Sequence, residues 1–489
     1  MSGSEILVNV TPQEVRVAIV ENGLLQEVHI ERPRTRGIVG NIYKGKVGRV
    51  LPGMQAAFID IGLDKAAFLH ASDVLPPEGA DIPSNGEEPP IADLLAEGDE
   101  VVVQVNKDPL GTKGARVSTQ LTLPSRCLVY MPFIERVGVS RRIADPDERA
   151  RLKAIMEAIH PPEEPGGFIV RTVSEGVSEA EFERDVRFLR RLWESLEGRI
   201  RRAKAPELVH EDFTLPMRAM RDMVDDQVDR VRIDSRETWD RIQTFARDYV
   251  PEVAGRIEYY PGERPIFDLY SVEEEIQRSL SRTVYLKSGG HLVIDQTEAL
   301  TSIDVNTGGY VGKKTLEETI LKTNLEATQA IARQLRLRNL GGIIIIDFID
   351  MDKPEHRERV YYALEHALSR DRAKSHLEGF SRLGLVEMTR KRTRESLERT
   401  MTQHCPYCHG RGVVKSVQTV CYEIFRETLR EARQYPAEQL LILASPAVVD
   451  TLLDEESQGL ADLESFIGKS ITLRSEDGYT QEQFDVVVL

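Results

Sequence analysis

Up to residue 120 the chain is dominated by short apolar runs with a period of two. Ile6-Leu7-Val8-Asn9-Val10, Val15-Arg16-Val17-Ala18-Ile19-Val20 and Leu25-Gln26-Glu27-Val28-His29-Ile30 predict three strands, the last with the alternation of a half-buried one. Residues 37–120 continue in short β-like runs punctuated by glycine. Examples are Ile42-Tyr43-Lys44-Gly45-Lys46-Val47, Ala56-Ala57-Phe58-Ile59-Asp60-Ile61-Gly62 and Val101-Val102-Val103-Gln104-Val105. Many short strands with Gly turns predict a small barrel. Residues 75–98 interrupt it with Pro76, Pro77, Pro83, Pro89 and Pro90 among Glu78, Glu87 and Glu88, and read as a mobile acidic loop outside the core.

Beyond the barrel the period lengthens. Residues 121–175 mix β and helix, 178–203 read as a long charged helix, and 216–250 read as helical. A hairpin follows: Thr283 to Lys287, the turn Ser288-Gly289-Gly290, then His291 to Asp295. Next comes the strand Thr301-Ser302-Ile303-Asp304-Val305-Asn306. Residues 316–338 carry Leu316, Ile320, Ala327, Ile331 and Leu335 at helical spacing, and Gly341 and Gly342 should stop that helix. The strand Ile343-Ile344-Ile345-Ile346-Asp347 closes a β-α-β unit, which predicts parallel neighbours in one sheet. Asp304 and Asp347 should then emerge at one carboxyl edge, where open α/β sheets bind ligands.

An Asp at the end of a buried strand sits on a rigid, dry platform, and two side by side suit a hard divalent cation such as Mg²⁺. Such a metal polarises phosphate and activates water, which points to phosphodiester chemistry. The plain alternative is two turn-forming Asp residues at strand ends. Asn306 shares the face of Asp304 and could orient a water or a phosphate; it could equally be a turn residue before Gly308-Gly309. Asp350 should point away from Asp347 if the strand continues through Phe348 and Ile349.

The 489 residues suffice for three or four domains, and 41% hydrophobic with 29% charged residues fits a soluble globular protein. No apolar run approaches the ~20 residues of a membrane-spanning helix. Met1-Ser2-Gly3-Ser4-Glu5 lacks the features of a secretion signal. Four cysteines, Cys127, Cys405, Cys408 and Cys421, suggest a reducing cytoplasm and no disulfide framework. A net charge of −16 argues against indiscriminate nucleic-acid binding but leaves room for a local basic groove.

Cys405-Pro406-Tyr407-Cys408-His409-Gly410-Arg411-Gly412 is a zinc-knuckle turn. A structural zinc takes four ligands, and the chain has one such pair. A second copy of the chain could complete a four-thiolate site; His404 and His409 could complete one within the chain; or the turn binds no metal. On the barrel, Tyr43, Phe58 and Phe68 alternate with Lys44, Lys46, Lys65 and Lys113. Such a surface suits stacked single-stranded bases, whereas many barrel aromatics are simply core.

These residues together resemble the ribonuclease E/G endoribonucleases. The likeness runs through Ile6 to Val10, Gly53 to Phe58, Asp108 to Ala115, Ile303 to Asn306, Ala332 to Gly342 and Cys405 to Cys408, over essentially the whole chain. It implies an α+β multidomain fold. RNase H-like parts would span 1–36 and 215–278, an OB-fold RNA-binding barrel 37–121, and a 5′-sensor subdomain 122–214. A DNase I-like catalytic subdomain would span 279–400, a zinc link 401–415, and a small C-terminal αβ oligomerisation domain 416–489. The implied activity is Mg²⁺-dependent cleavage of single-stranded RNA, leaving 5′-phosphate and 3′-hydroxyl, in ribosomal RNA 5′-end maturation and messenger RNA turnover. Asp304 and Asp347 would hold the Mg²⁺, with Asn306 as hydrogen-bonding partner. Cys405 and Cys408 would share a Zn²⁺ with a second chain in a homodimer or higher homo-oligomer. Phe58, Phe68 and Lys113 fall at RNA-contacting positions. Arg171 and Thr172 match a sensor of 5′-monophosphate ends, where Lys374 replaces an Arg and loses its bidentate fork. The chain ends at Leu489, so the resemblance is to members without a disordered scaffold tail, acting in the cytoplasm. Rival readings are a non-catalytic single-stranded RNA-binding protein and a DNA-directed nuclease.

Overall fold

The computed structural model describes residues 3–75, 89–110, 113–143, 145–161, 164–224, 227–308, 316–436 and 438–489. They form two compact units, Met1–Thr400 and Met401–Leu489, in a mixed α+β chain. Among the described residues no helix is long and apolar enough to cross a membrane.

In the first unit, Ser4–Val10, Val15–Glu21 and Leu24–Glu31 form an antiparallel meander. Val228–Ile233 and Ile257–Tyr259 extend it in parallel, so distant parts of the chain share one five-stranded sheet. The Val228–Ile233 strand corrects the helical expectation for 216–250: among the described residues there, helices cover Leu215–Asp222 and Arg236–Tyr249. Its buried Val228, Val231 and Ile233 are flanked by helical patterns, and a six-residue strand is easily absorbed into them.

Ile42–Leu51, Ala56–Asp60, Ala67–His70, Arg116–Ser118 and Glu100–Lys107 close into a five-stranded barrel through pairing of the first with the last. The ten-residue Ile42–Leu51 strand also takes Glu207–His210 on its free edge. Residues 76–88 of the expected acidic loop lie outside the described residues. The end of that segment belongs to the core, contrary to expectation: Ile91–Leu94 is a short helix, and Ile91 and Leu95 are buried in the barrel. Their apolar side chains outweigh the loop-like composition around them.

A six-stranded sheet carries Leu300–Asn306 and Gly342–Asp347 as parallel neighbours at its centre. The crossover is the helix Leu316–Leu337, whose Ala327, Ile331 and Leu335 bury against Ile303, Ile344 and Ile346. The helix ends at Asn339, in the left-handed conformation at φ 49°, rather than at the glycines. Gly341 and Gly342 instead give room to Arg392, whose side chain a Cβ at either position would meet within 3 Å. On its other side the helix is stapled to the first sheet by Arg336, which is buried and reaches Glu21 at 2.7 Å and Glu27 at 2.9 Å. Burial would raise the Glu27 carboxyl, but His29 and the Arg336 charge hold it far below the usual range.

The second unit is a three-stranded sheet with Gln439–Ala444 at its centre, parallel to Ser470–Ser475 and antiparallel to Phe484–Val488. The helices Val417–Gln434 and Pro446–Leu453 bury Cys421, Ile424 and Val448 against it.

One buried ion pair holds the segment after the Pro354–Leu368 helix. Arg390 Nε and Nη2 donate to Asp371 at 2.6 and 3.0 Å, and Nη1 donates to the Leu340 carbonyl at 2.8 Å. Asp371→Asn should destabilise the fold by about 3–5 kcal/mol, because it leaves a buried guanidinium without its counter-charge. A denaturation midpoint close to wild type would contradict this.

Candidate active site

Alternation along Leu300–Asn306 buries Ile303 and Val305 and turns Ser302, Asp304 and Asn306 to the opposite face. In Gly342–Asp347, Ile344 and Ile346 are buried, while Ile343 and Asp347 are exposed. The parallel register sets Asp304 directly opposite Asp347. The platform is rigid but not dry: helices cover one face of the sheet, and the carboxylates stand on the other.

The Asp347 carboxyl is pushed above its usual value, first by desolvation and then by the charges of Asp304 and Asp350. The charge of Asp350 is thus felt at Asp347. Strand pairing ends at Asp347, so alternation no longer dictates the direction of Asp350. Asn306 Nδ2 donates to Asp304 Oδ2 at 2.7 Å, fixing one oxygen of that carboxylate. Among the described residues no three His, Cys, Asp or Glu side chains gather as a metal cluster. A two-carboxylate site still suits Mg²⁺, which keeps most of its waters and binds through one or two carboxylates.

A positioning residue escapes the sequence reading. Asn324 is fully buried in the crossover helix. Its Nδ2 donates to the Ile349 carbonyl at 2.8 Å, and its Oδ1 accepts the Ile349 N–H at 3.1 Å. The amide thus clamps the backbone between Asp347 and Asp350. A signal was present: the apolar stripe Ile320, Ala327, Ile331 skips the helical position of Asn324.

The barrel aromatics divide. Tyr43 is buried in the core. Phe58 and Phe68 sit opposite each other on neighbouring strands, half-buried, with ring centroids 6.1 Å apart. Phe68 N–H donates to the Ala115 carbonyl at 2.7 Å, which brings exposed Lys113 into the same neighbourhood. Lys44 is engaged with Glu100 at 2.9 Å.

Thr172 and Lys374 line one cavity of about 1040 Å³, together with Arg126, Glu175, Glu181 and Arg372. Arg171 is not in its walls. Its Nη1 donates to the carbonyls of Ser125 at 2.5 Å and Arg126 at 3.3 Å, behind the Arg126 wall. Thr172 Oγ1 lies 3.0 Å from Ser140 Oγ. Lys374 Nζ is bonded to Glu175.

In the second unit Cys405 is exposed and Cys408 half-buried. Backbone N–H groups of Gly412 and Gly410, and the Cys405 side chain, hold the Cys408 thiol below its ordinary value. Gly410 and Gly412 adopt positive φ, 85° and 75°, which lets those amides turn inward. Among the described residues, neither His404 nor His409 joins the pair in a metal-binding group of three.

Fold and site together define a multidomain α+β protein with a closed barrel and a paired-carboxylate sheet edge. A family described as Ribonuclease E/G matches residues 122–393, and one described as the RNase E/G thioredoxin-like domain matches 404–488. Ribonuclease G of Escherichia coli strain K12 is 55% identical over 492 residues, spanning 99% of this chain and 100% of its own. Ribonuclease G of Haemophilus influenzae is 53% identical over 495 residues, spanning 100% of both. Ribonuclease E of Escherichia coli K12 is 36% identical over 468 residues, 94% of this chain but 43% of its own. The chain belongs to the ribonuclease E/G family.

Asn324→Leu keeps the helix volume and removes both bonds to Ile349. It should raise the Mg²⁺ concentration for half-maximal RNA cleavage by about tenfold, the equivalent of one hydrogen bond. A lower melting temperature with an unshifted Mg²⁺ curve would mean Asn324 serves the fold alone.

Proposed function

We propose that this chain, an endoribonuclease, hydrolyses single-stranded RNA internally with one Mg²⁺, leaving 5′-phosphate and 3′-hydroxyl ends. The observation that carries the reading is the opposition of Asp304 and Asp347 on an open sheet face. Their mutual repulsion is what a divalent cation relieves; the Asp347 carboxyl is raised first by desolvation and then by the charges of Asp304 and Asp350. When bound, the metal would supply polarisation of the phosphate and a more acidic water. Asn306 holds Asp304 in orientation and offers a neutral polar group beside the scissile phosphate. Phe58 and Phe68 offer ring faces for unpaired bases, and Lys113 a charge for the backbone. In this reading the five-stranded sheet is the RNase H-like part and the six-stranded sheet the DNase I-like part.

Arg171, Thr172 and Lys374 are read as the sensor of 5′-monophosphate ends, with Thr172 and Lys374 in the cavity wall and Arg171 next to Thr172, its Nη1 on the Ser125 and Arg126 carbonyls. Cys405 and Cys408 are read as half of a tetrahedral zinc site completed by a second copy, giving a homodimer or larger assembly. Two thiols, one of them lowered by inward amides, suit thiolate ligation, and four ligands require two more donors. The work proposed for the enzyme is ribosomal RNA 5′-end maturation and messenger RNA turnover in the cytoplasm.

Asp347→Asn should cut RNA cleavage by about a hundredfold or more, since several kcal/mol of charge stabilisation is lost. The metal-free variant should be slightly more stable than wild type, by roughly 0.2–1 kcal/mol, because a cross-strand like-charge pair is gone. Mg²⁺ should raise the melting temperature of wild type but not of the variant. Binding of an RNA oligomer without cutting, in wild type with Mg²⁺, would favour the non-catalytic reading.

Cys405→Ser with Cys408→Ser should release zinc and shift sedimentation towards the monomer. An unchanged profile would sink the shared-zinc reading.

A further inference from the structure

We infer that Glu175 is a specificity-determining residue, a built-in competitor that occupies Lys374 until a terminal phosphate displaces it. The inference rests on reading the Thr172–Lys374 cavity as the 5′-end sensor. Both members of the pair line that cavity, and both reach solvent, Lys374 at 50% and Glu175 at 27% side-chain exposure. An incoming anion can therefore meet the pair and exchange for the carboxylate.

Another carboxylate of that cavity, Glu181, contrasts with it. Glu181 bonds Arg126 at 3.1 Å, yet it also closes the cap of the Glu179–Arg202 helix, accepting from Ser178 N and Oγ at 3.2 and 3.1 Å. Moving Glu181 would unravel a helix end. Glu175 has no such duty: among the described residues its side-chain bond is to Lys374. It follows the single turn Thr172–Ser174 and precedes Gly176, at φ 75°, so its side chain can swing without disturbing a regular element.

The exchange favours one kind of ligand. A phosphomonoester carries close to two charges and three free oxygens, while a carboxylate carries one charge. A partly exposed Lys–Glu pair is weak and yields to the stronger anion. A 5′-hydroxyl end has nothing to offer in exchange. The competitor also has a purpose for this reaction, because each cut creates a new 5′-monophosphate on the downstream product. A sensor of unchecked affinity would be held by its own products; Glu175 keeps it in a range where they leave.

The test compares kcat/KM on one RNA decamer bearing 5′-monophosphate or 5′-hydroxyl, for wild type, Glu175→Gln, Lys374→Ala and the double variant. Melting temperatures would verify that all four fold. Glu175→Gln should raise the monophosphate-to-hydroxyl ratio about two- to fivefold through a lower KM, the range expected for freeing an exposed ion pair. Lys374→Ala should lower the ratio, and in its background Glu175→Gln should give no gain. An unchanged ratio in Glu175→Gln overturns the inference. So does an equal gain without Lys374, which would reveal general charge repulsion instead of competition. If wild type shows no preference, or Lys374→Ala leaves it intact, the sensor reading itself fails and takes the inference with it.

Discussion

Parallel pairing of Leu300–Asn306 with Gly342–Asp347 is the constraint on which the rest of the first unit turns. Parallel neighbours cannot be joined by a tight turn, so the chain must cross over, and it does so through the Leu316–Leu337 helix. The pairing also puts both strands' ends at one edge, with Asp304 and Asp347 at the same level. Two carboxylates side by side oppose folding, and the apolar half of each strand must outweigh that. Ile303, Ile344 and Ile346 do so by burial against the same helix that makes the crossover possible. Site and core are therefore opposite faces of the same strands.

Much of this was legible because it is periodic and local. The meander, the crossover helix, the hairpin before Asp304 and the four-isoleucine strand each announce themselves within a dozen residues. What was not legible depends on distance. Val228–Ile233 is a strand because Ser4–Val10, far away in sequence, lies beside it. Glu207–His210 is one because Ile42–Leu51 has an edge to offer. The strand ends at Asp347, a boundary that alternation cannot locate, so the placement of Asp350 was not legible. Asn324 was visible as a gap in an apolar stripe, but its partner, the Ile349 backbone, could be known only from the fold.

Buried charge fixes how the elements around the site meet. Arg336 ties the crossover helix to Glu21 and Glu27 of the first sheet, and Arg390 ties the six-stranded sheet to Asp371. Such pairs are expensive to desolvate, and their worth lies as much in specifying one arrangement as in raw stability. Asp371 stands three residues before Lys374, so the Arg390 pair also holds the base of the segment that carries Lys374 to the cavity.

This pattern bears on how so acidic a chain handles an acidic polymer. A net charge of −16 argues against indiscriminate long-range attraction to RNA. Several basic groups are already committed to carboxylates, among them Lys44 to Glu100, Arg126 to Glu181 and Lys374 to Glu175. Where the carboxylate is structural, as with Glu181, the basic group belongs to the fold. Where it has no structural duty, as inferred for Glu175, the basic group would be available on condition that the ligand is the better anion. Under the inference above, selectivity among RNA ends would come from the exchange itself and would need no surplus of positive charge, which would bind every phosphate alike.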